Sequence, residues 1–122
     1  MNDRKLIVVI DDSQLVLKMT RLALEDAGYR VTTFADPGEF EPSLVGTPDL
    51  MLVDINMPQF YGDDVVMYIK DTWNIPSLIY LFSNVSDKEL ADAVTRCGAD
   101  GYISKRWGME EMIANVQTVI GR

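Results

Sequence analysis

Residues 6–12 read Leu6-Ile7-Val8-Val9-Ile10-Asp11-Asp12, five uninterrupted aliphatic side chains that stop at two acids. A strand with one wet face alternates apolar and polar residues. Continuous aliphatic sequence fits a strand covered on both faces, as in a central parallel sheet. A buried helix can be apolar throughout as well, but five residues are too few for one. Similar runs recur at Leu50 to Val53 and Leu78 to Phe82, with weaker ones at Val31 to Phe34 and Tyr102 to Ile103.

Segments of helical period fill the gaps. The first runs from about Ser13 to Ala27, with Leu15, Met19, Leu22 and Ala23 at helical spacing and Gly28 as a stop. A weak one lies near Gly38 to Val45, with Pro37 just inside its start. The third carries Val65, Val66 and Ile69 and ends before Pro76. The fourth opens with Ser86-Asp87-Lys88-Glu89, a capping-box pattern, and sets Leu90, Ala93, Val94 and Cys97 on one face before Gly98. The last aligns Met109, Met112, Ile113, Val116, Val119 and Ile120. Five strands alternating with five helices predict an α/β fold, a doubly wound five-stranded parallel sheet with right-handed crossovers.

Composition narrows the chemistry. At 122 residues the chain is one domain's worth of sequence, residues 1–122. Such a chain buries about 65% of its unfolded surface, enough for a core without staples. Eleven Lys and Arg against 19 Asp and Glu give −8, which repels nucleic-acid phosphate and anionic lipid and predicts no direct nucleic-acid partner. With no His, every mechanism that needs a His base and every His-ligated metal is excluded. The lone cysteine makes no internal disulfide, which points to a reducing, cytoplasmic setting. The longest apolar runs are five residues, against the roughly 20 of a membrane helix, so no membrane insertion is expected.

In doubly wound folds ligands bind outside the C-terminal ends of the strands. Those ends carry Asp11 and Asp12, Asp54 with Ile55-Asn56-Met57-Pro58 behind it, Ser83, and Lys105. Singly, each has a structural explanation: Asp12 or Ser13 is a good helix N-cap, Asp54 a loop acid, Ser83 a turn residue, Lys105 a surface lysine. Together they need another, because three neighbouring carboxylates repel and raise one another's pKa unless a cation offsets them. Lys105 supplies one charge, and a divalent ion supplies two. Oxygen-only ligands favour Mg²⁺. A metal and a lysine around a carboxylate suggest phosphoryl transfer to Asp54 as nucleophile, with Lys105 and Ser83 meeting phosphoryl oxygens.

Taken in order, these pieces resemble the receiver domain of two-component response regulators over essentially the whole chain. The matching residues are the strand ending in Asp11-Asp12, the run Asp49 to Pro58 around Asp54 with Gly62 beyond it, the strand ending at Ser83, and Gly98 to Lys105 through Tyr102. The resemblance implies a flavodoxin-like sheet of order 2-1-3-4-5. It implies phosphorylation of Asp54 from a phosphohistidine on a histidine kinase or histidine phosphotransfer protein. Mg²⁺ is then held by Asp11 or Asp12, Asp54 and the backbone carbonyl of Asn56. It also implies a switch in which Ser83 and Tyr102 move together and remodel the face of helix 4, strand 5 and helix 5 for a downstream effector. Such a protein is a stoichiometric phosphoacceptor rather than an enzyme, and here a stand-alone receiver with no output domain is expected.

Three features depart from the pattern or extend it. Arg106 follows Lys105 where the family usually has a cis proline, leaving open a cis peptide without proline or a trans one that aims Lys105 differently. Asn84 follows Ser83 where the family prefers Ala or Gly, and is expected to crowd the site and slow uptake from small phosphodonors. Leu17 and Leu24 lie nearly opposite Leu15, beside Val16 and Ala27. Either the Lys18 and Arg21 stems cover them or they dock a four-helix phosphotransfer partner. Competing functions fare unevenly. A nucleotide or flavin binder would place phosphate against Asp11-Asp12, and a dehalogenase-like phosphatase would need Asp-x-Asp after the first strand and a cap. A receiver-shaped scaffold that is never phosphorylated is harder to dismiss, because Asn84 and Arg106 leave room for a degraded site.

Overall fold

The computed structural model describes residues 4–57 and 60–122, so Pro58 lies outside the described residues. The chain runs β1 (Leu6–Ile10), α1 (Gln14–Asp26), β2 (Arg30–Phe34), a 3₁₀ turn (Pro37–Glu39), α2 (Pro42–Val45), β3 (Leu50–Val53), α3 (Gly62–Trp73), β4 (Leu78–Ser83), α4 (Asp87–Cys97), β5 (Gly101–Ser104), a second 3₁₀ turn (Lys105–Trp107) and α5 (Met109–Ile120). The strands form one parallel sheet of order β2-β1-β3-β4-β5, the doubly wound arrangement expected for a receiver. A two-stranded antiparallel ribbon, Asn56–Met57 against Phe60–Tyr61, follows β3 and carries no signal in the periodicity.

All residues of β1 and β3 are buried, which is why they lack alternation. Their side chains point to opposite faces in turn. Val8, Ile10, Met51, Val53, Ile79 and Leu81 pack towards α3 and α4. Ile7, Val9, Leu50, Leu52, Phe82 and Ile103 pack towards α1 and α5. Two acids stitch the N-terminal edge of the sheet. Asp49 Oδ2 accepts from Leu6 N at 2.8 Å while Asp49 N donates to Leu6 O at 2.8 Å. Asp100 repeats the device on Ile79, with both bonds at 2.8 Å.

Helix ends follow their local chemistry. Ser13 caps α1 by accepting from Val16 N at 3.3 Å, and Ser86 caps α4 by accepting from Glu89 N at 3.2 Å. Gly98 closes α4 in the left-handed region, at φ 76°. The weak second helix is broken in two. Pro42 has no N–H to donate and pushes Glu41 into an extended conformation, at φ −145° and ψ 112°. The intervening Phe40 is buried, edge-on to Phe34 at 6.0 Å and to Trp73 at 6.3 Å.

Helix α1 buries a different face from the one its spacing suggests. Leu17, Thr20 and Leu24 are buried, whereas Leu15, Met19 and Leu22 are 67%, 48% and 52% exposed. The helix carries two apolar arcs on nearly opposite sides. The one that docks is filled out by Val16, Ala23 and Ala27, which pack against the same cluster. Leucines stand on both arcs, so residue size does not choose the face; the contacts with the sheet and α5 do. The docking patch expected at Leu17 and Leu24 is therefore overturned, because both leucines are core. Leu24→Ala is expected to cost about 2–5 kcal/mol. Leu22→Ala should stay within about 0.5 kcal/mol of the parent. Urea unfolding of the two variants checks the assignment.

Candidate functional site

The C-terminal edge of the sheet brings the predicted residues together. Asp11 and Asp54 stand one residue past β1 and β3, and each prolongs the ladder. Asp11 N donates to Phe34 O at 3.1 Å, and Asp54 N donates to Ile10 O at 3.0 Å. Each acid then closes a turn with its own backbone two residues on. Asp11 Oδ1 accepts from Ser13 N at 2.9 Å, and Asp54 Oδ1 accepts from Asn56 N at 2.9 Å. With one oxygen of each carboxylate so occupied, the other faces a common cation. Lys105 Nζ lies 2.5 Å from Asp11 Oδ2 and 3.4 Å from Asp54 Oδ2.

Lys105 reaches this point through a trans peptide, since no cis bond occurs among the described residues. The trans alternative holds, and the lysine still points into the site. Its ammonium also sits 5.4 Å from the centre of the Phe82 ring. The side chain approaches along the α1 and α5 side of the sheet, where Phe82 packs. Sequence reasoning passed over Phe82 and the Asn56 N–H. Phe82 reads only as one more residue of an apolar run, and a backbone donor has no sequence signature.

Asp12 is exposed beside the buried Asp11 and Asp54, and an oxygen from each of the three lies within 4.8 Å of the others. Ser83 ends β4 fully buried, and its Oγ has no hydrogen-bond partner among the described residues. A buried hydroxyl without a partner costs about 1–3 kcal/mol. Beside a cluster of acids it suits a bound oxyanion that accepts from it. An all-oxygen donor set of two buried carboxylates and one exposed carboxylate fits a hard divalent cation that keeps some of its water. Asn84 is exposed at the rim next to Ser83. Tyr102 is half-buried on β5, its ring 5.9 Å from that of Trp107.

Burial pushes the Asp11 carboxyl above its ordinary 3.8, with the Asp54 charge adding to it; the Lys105 and Ser13 hydrogen bonds oppose the rise. The folded state thus holds this proton more tightly than the unfolded chain does. Its contribution favours folding at low pH and is lost as pH climbs from 3.8 through the raised value. In the metal-free protein at pH 7, Asp11→Asn is expected to raise the melting temperature. The gap should close as pH falls towards 4 by thermal melts in chelator. A lower melting temperature at pH 7 would show that the Lys105 pairing outweighs the burial.

Among the described residues no helix is long and apolar enough to cross a membrane. Residues 7–117 match the response regulator receiver domain family. The transcriptional regulatory protein KdpE of Mycobacterium tuberculosis is 29% identical over 118 residues, 96% of this chain and 51% of the relative. The response regulator SaeR of Staphylococcus aureus is 30% identical over 117 residues, 95% of this chain and 50% of the relative. The chain thus spans about half the length of these curated relatives. Among solved structures, chemotaxis protein CheY4 of Vibrio cholerae superposes with a TM-score of 0.84 at 25% identity, covering 95% of this chain and 98% of that one. The BeF3-activated receiver domain of DrrB, a Thermotoga maritima protein, gives 0.80 at 26% identity over 98% and 99%. Sheet order, acidic cluster and lysine agree with that likeness, and the chain belongs to the response regulator receiver domain family of two-component systems, whose members are stoichiometric phosphoacceptors partnered by histidine kinases or phosphotransfer proteins and by effectors.

Proposed function

We propose that residues 1–122 act as one receiver module in which Asp54 accepts the phosphoryl group. The observation that carries the reading is the placement of one ammonium against both Asp11 and Asp54, beside the buried, unpartnered hydroxyl of Ser83. An Asp54 carboxylate oxygen attacks phosphorus and the P–N bond of a phosphohistidine breaks. The electron pair stays on the imidazole nitrogen, which is protonated from solvent. Lys105 then moves its charge from Asp54 onto a phosphoryl oxygen, and Ser83 donates its hydroxyl proton to another. Asp11, Asp12 and Asp54, with the backbone carbonyl of Asn56, would hold Mg²⁺, which would neutralise charge on the phosphoryl group.

Once Ser83 turns towards the phosphoryl group, Tyr102 follows into the space beside it, and the face of α4, β5 and α5 changes for an effector. The ring pair of Tyr102 and Trp107 makes Trp107 the reporter of that movement. Trp73 packs on Phe40 and stays silent. Charge and the lone buried Cys97 support a protein partner in the cytoplasm rather than nucleic acid. For the phosphodonor, the exposed stripe Leu15, Met19 and Leu22 on α1, with Lys18 beside it, offers a helical docking face next to the acidic rim. It takes the role first expected of Leu17 and Leu24, and its natural occupant is a helix of the phosphohistidine protein.

Adding Mg²⁺ and beryllofluoride should change Trp107 fluorescence saturably, and Asp54→Ala should abolish the change. Intact mass after a phosphohistidine donor should show one added phosphoryl group in the parent and none in Asp54→Ala. Silence in both measurements would leave the unphosphorylated scaffold as the reading. Leu15→Asp with Leu22→Asp should leave the beryllofluoride response intact. Phosphotransfer from the protein donor, measured below saturation, should fall by about tenfold or more, since each leucine buried in such a contact contributes about 1.5–3 kcal/mol. An unchanged transfer rate would remove α1 as the docking face.

A further inference from the structure

The 3₁₀ turn that presents Lys105 is closed by a hydroxyl from the strand before it. Ser104, the last residue of β5, is fully buried, and its Oγ accepts from Arg106 N at 3.1 Å. At the other end of the turn Gly108 N donates to Lys105 O at 3.3 Å, with Gly108 at φ 89°, a conformation that favours glycine. The Ser104 bond exists because Arg106 carries an N–H, which a proline at that position would lack. Two consequences follow from one turn. Lys105 is delivered to Asp11 and Asp54 on one side, and Trp107 is set against Tyr102 on the other. Ser104 also stands in register with Ser83 on the neighbouring strand, so its position is fixed by the same ladder that fixes the buried hydroxyl of the site.

We propose that Ser104 is a positioning residue for Lys105: its hydroxyl closes the trans turn that holds the ammonium between Asp11 and Asp54. The inference rests on the role given to Lys105 above. Without the Ser104 acceptor, Arg106 N–H turns to water, the 3₁₀ turn loosens, and Lys105 leaves the carboxylates. Two properties then change in opposite directions. Phosphoryl uptake slows, because the ammonium no longer meets the phosphoryl oxygen. Mg²⁺ binds more tightly, because a competing cation has left the acids. General destabilisation would weaken both.

The test compares the full chain with Ser104→Ala, Ser104→Thr, Lys105→Ala and the double variant Ser104→Ala/Lys105→Ala. Uptake from phosphoramidate is followed by intact mass, and Mg²⁺ affinity by calorimetry. Ser104→Ala should slow uptake by up to about 100-fold, the cost of misplacing a group by an ångström, and should tighten Mg²⁺ binding. Ser104→Thr, which keeps the hydroxyl, should restore both values towards the parent. The double variant should match Lys105→Ala, because the serine acts only through the lysine. Parental rate and Mg²⁺ affinity in Ser104→Ala, with Lys105→Ala impaired, would overturn the proposal and leave the lysine's role standing. Additive losses in the double variant would overturn it as well. If Lys105→Ala itself behaves as the parent, the reading of the lysine fails and the positioning role falls with it.

Discussion

One ammonium between two buried carboxylates organises the working end of this molecule. Asp11 and Asp54 sit on adjacent strands with little access to water, and neither tolerates the other's charge at low cost. Lys105, arriving from the far edge of the sheet, offsets both at 2.5 and 3.4 Å. The pair is a poor stabilising device, since buried ions lose much of their solvation. Burial lifts the Asp11 carboxyl despite the lysine, so the compensation is incomplete. A site left with excess negative charge is suited to a cation.

The two edges of the sheet use the same residue type for opposite ends. At the N-terminal edge, Asp49 and Asp100 each exchange two hydrogen bonds with a neighbouring strand and hold it in register. At the C-terminal edge, Asp11 and Asp54 satisfy one oxygen with their own turn and turn the other towards Lys105. The difference lies in strand direction. All five strands are parallel, so every C-terminal end opens on one rim, where Asp11 past β1, Asp54 past β3 and Lys105 past β5 meet. Asp49 and Asp100, which precede strands, meet backbone donors instead.

Much of this was legible because it is local. Unbroken aliphatic runs mark strands covered on both faces, and the residues after them fall on one rim once the sheet is parallel. Ser13, Ser86 and Gly98 close their helices as their positions suggest, since a cap needs only neighbours in sequence. The face of α1 was misjudged for the converse reason. Leu15 with Leu22, and Leu17 with Leu24, are equally periodic, and periodicity carries no information on which side the sheet lies. The ribbon after β3 was missed because two-residue strands are shorter than any period.

The sequence by itself determined the layering, the sheet order through its resemblance, and the set of side chains at the rim. The layering and the rim follow from hydrophobic pattern and position along the chain, whereas the order is only what the resemblance implies. Only the tertiary structure decided the phase of α1, the partners of each carboxylate oxygen, and the trans path by which Lys105 reaches Asp11 without a proline. Those depend on contacts between residues up to 94 positions apart. Such distances are fixed when strands pair, and no local pattern encodes them.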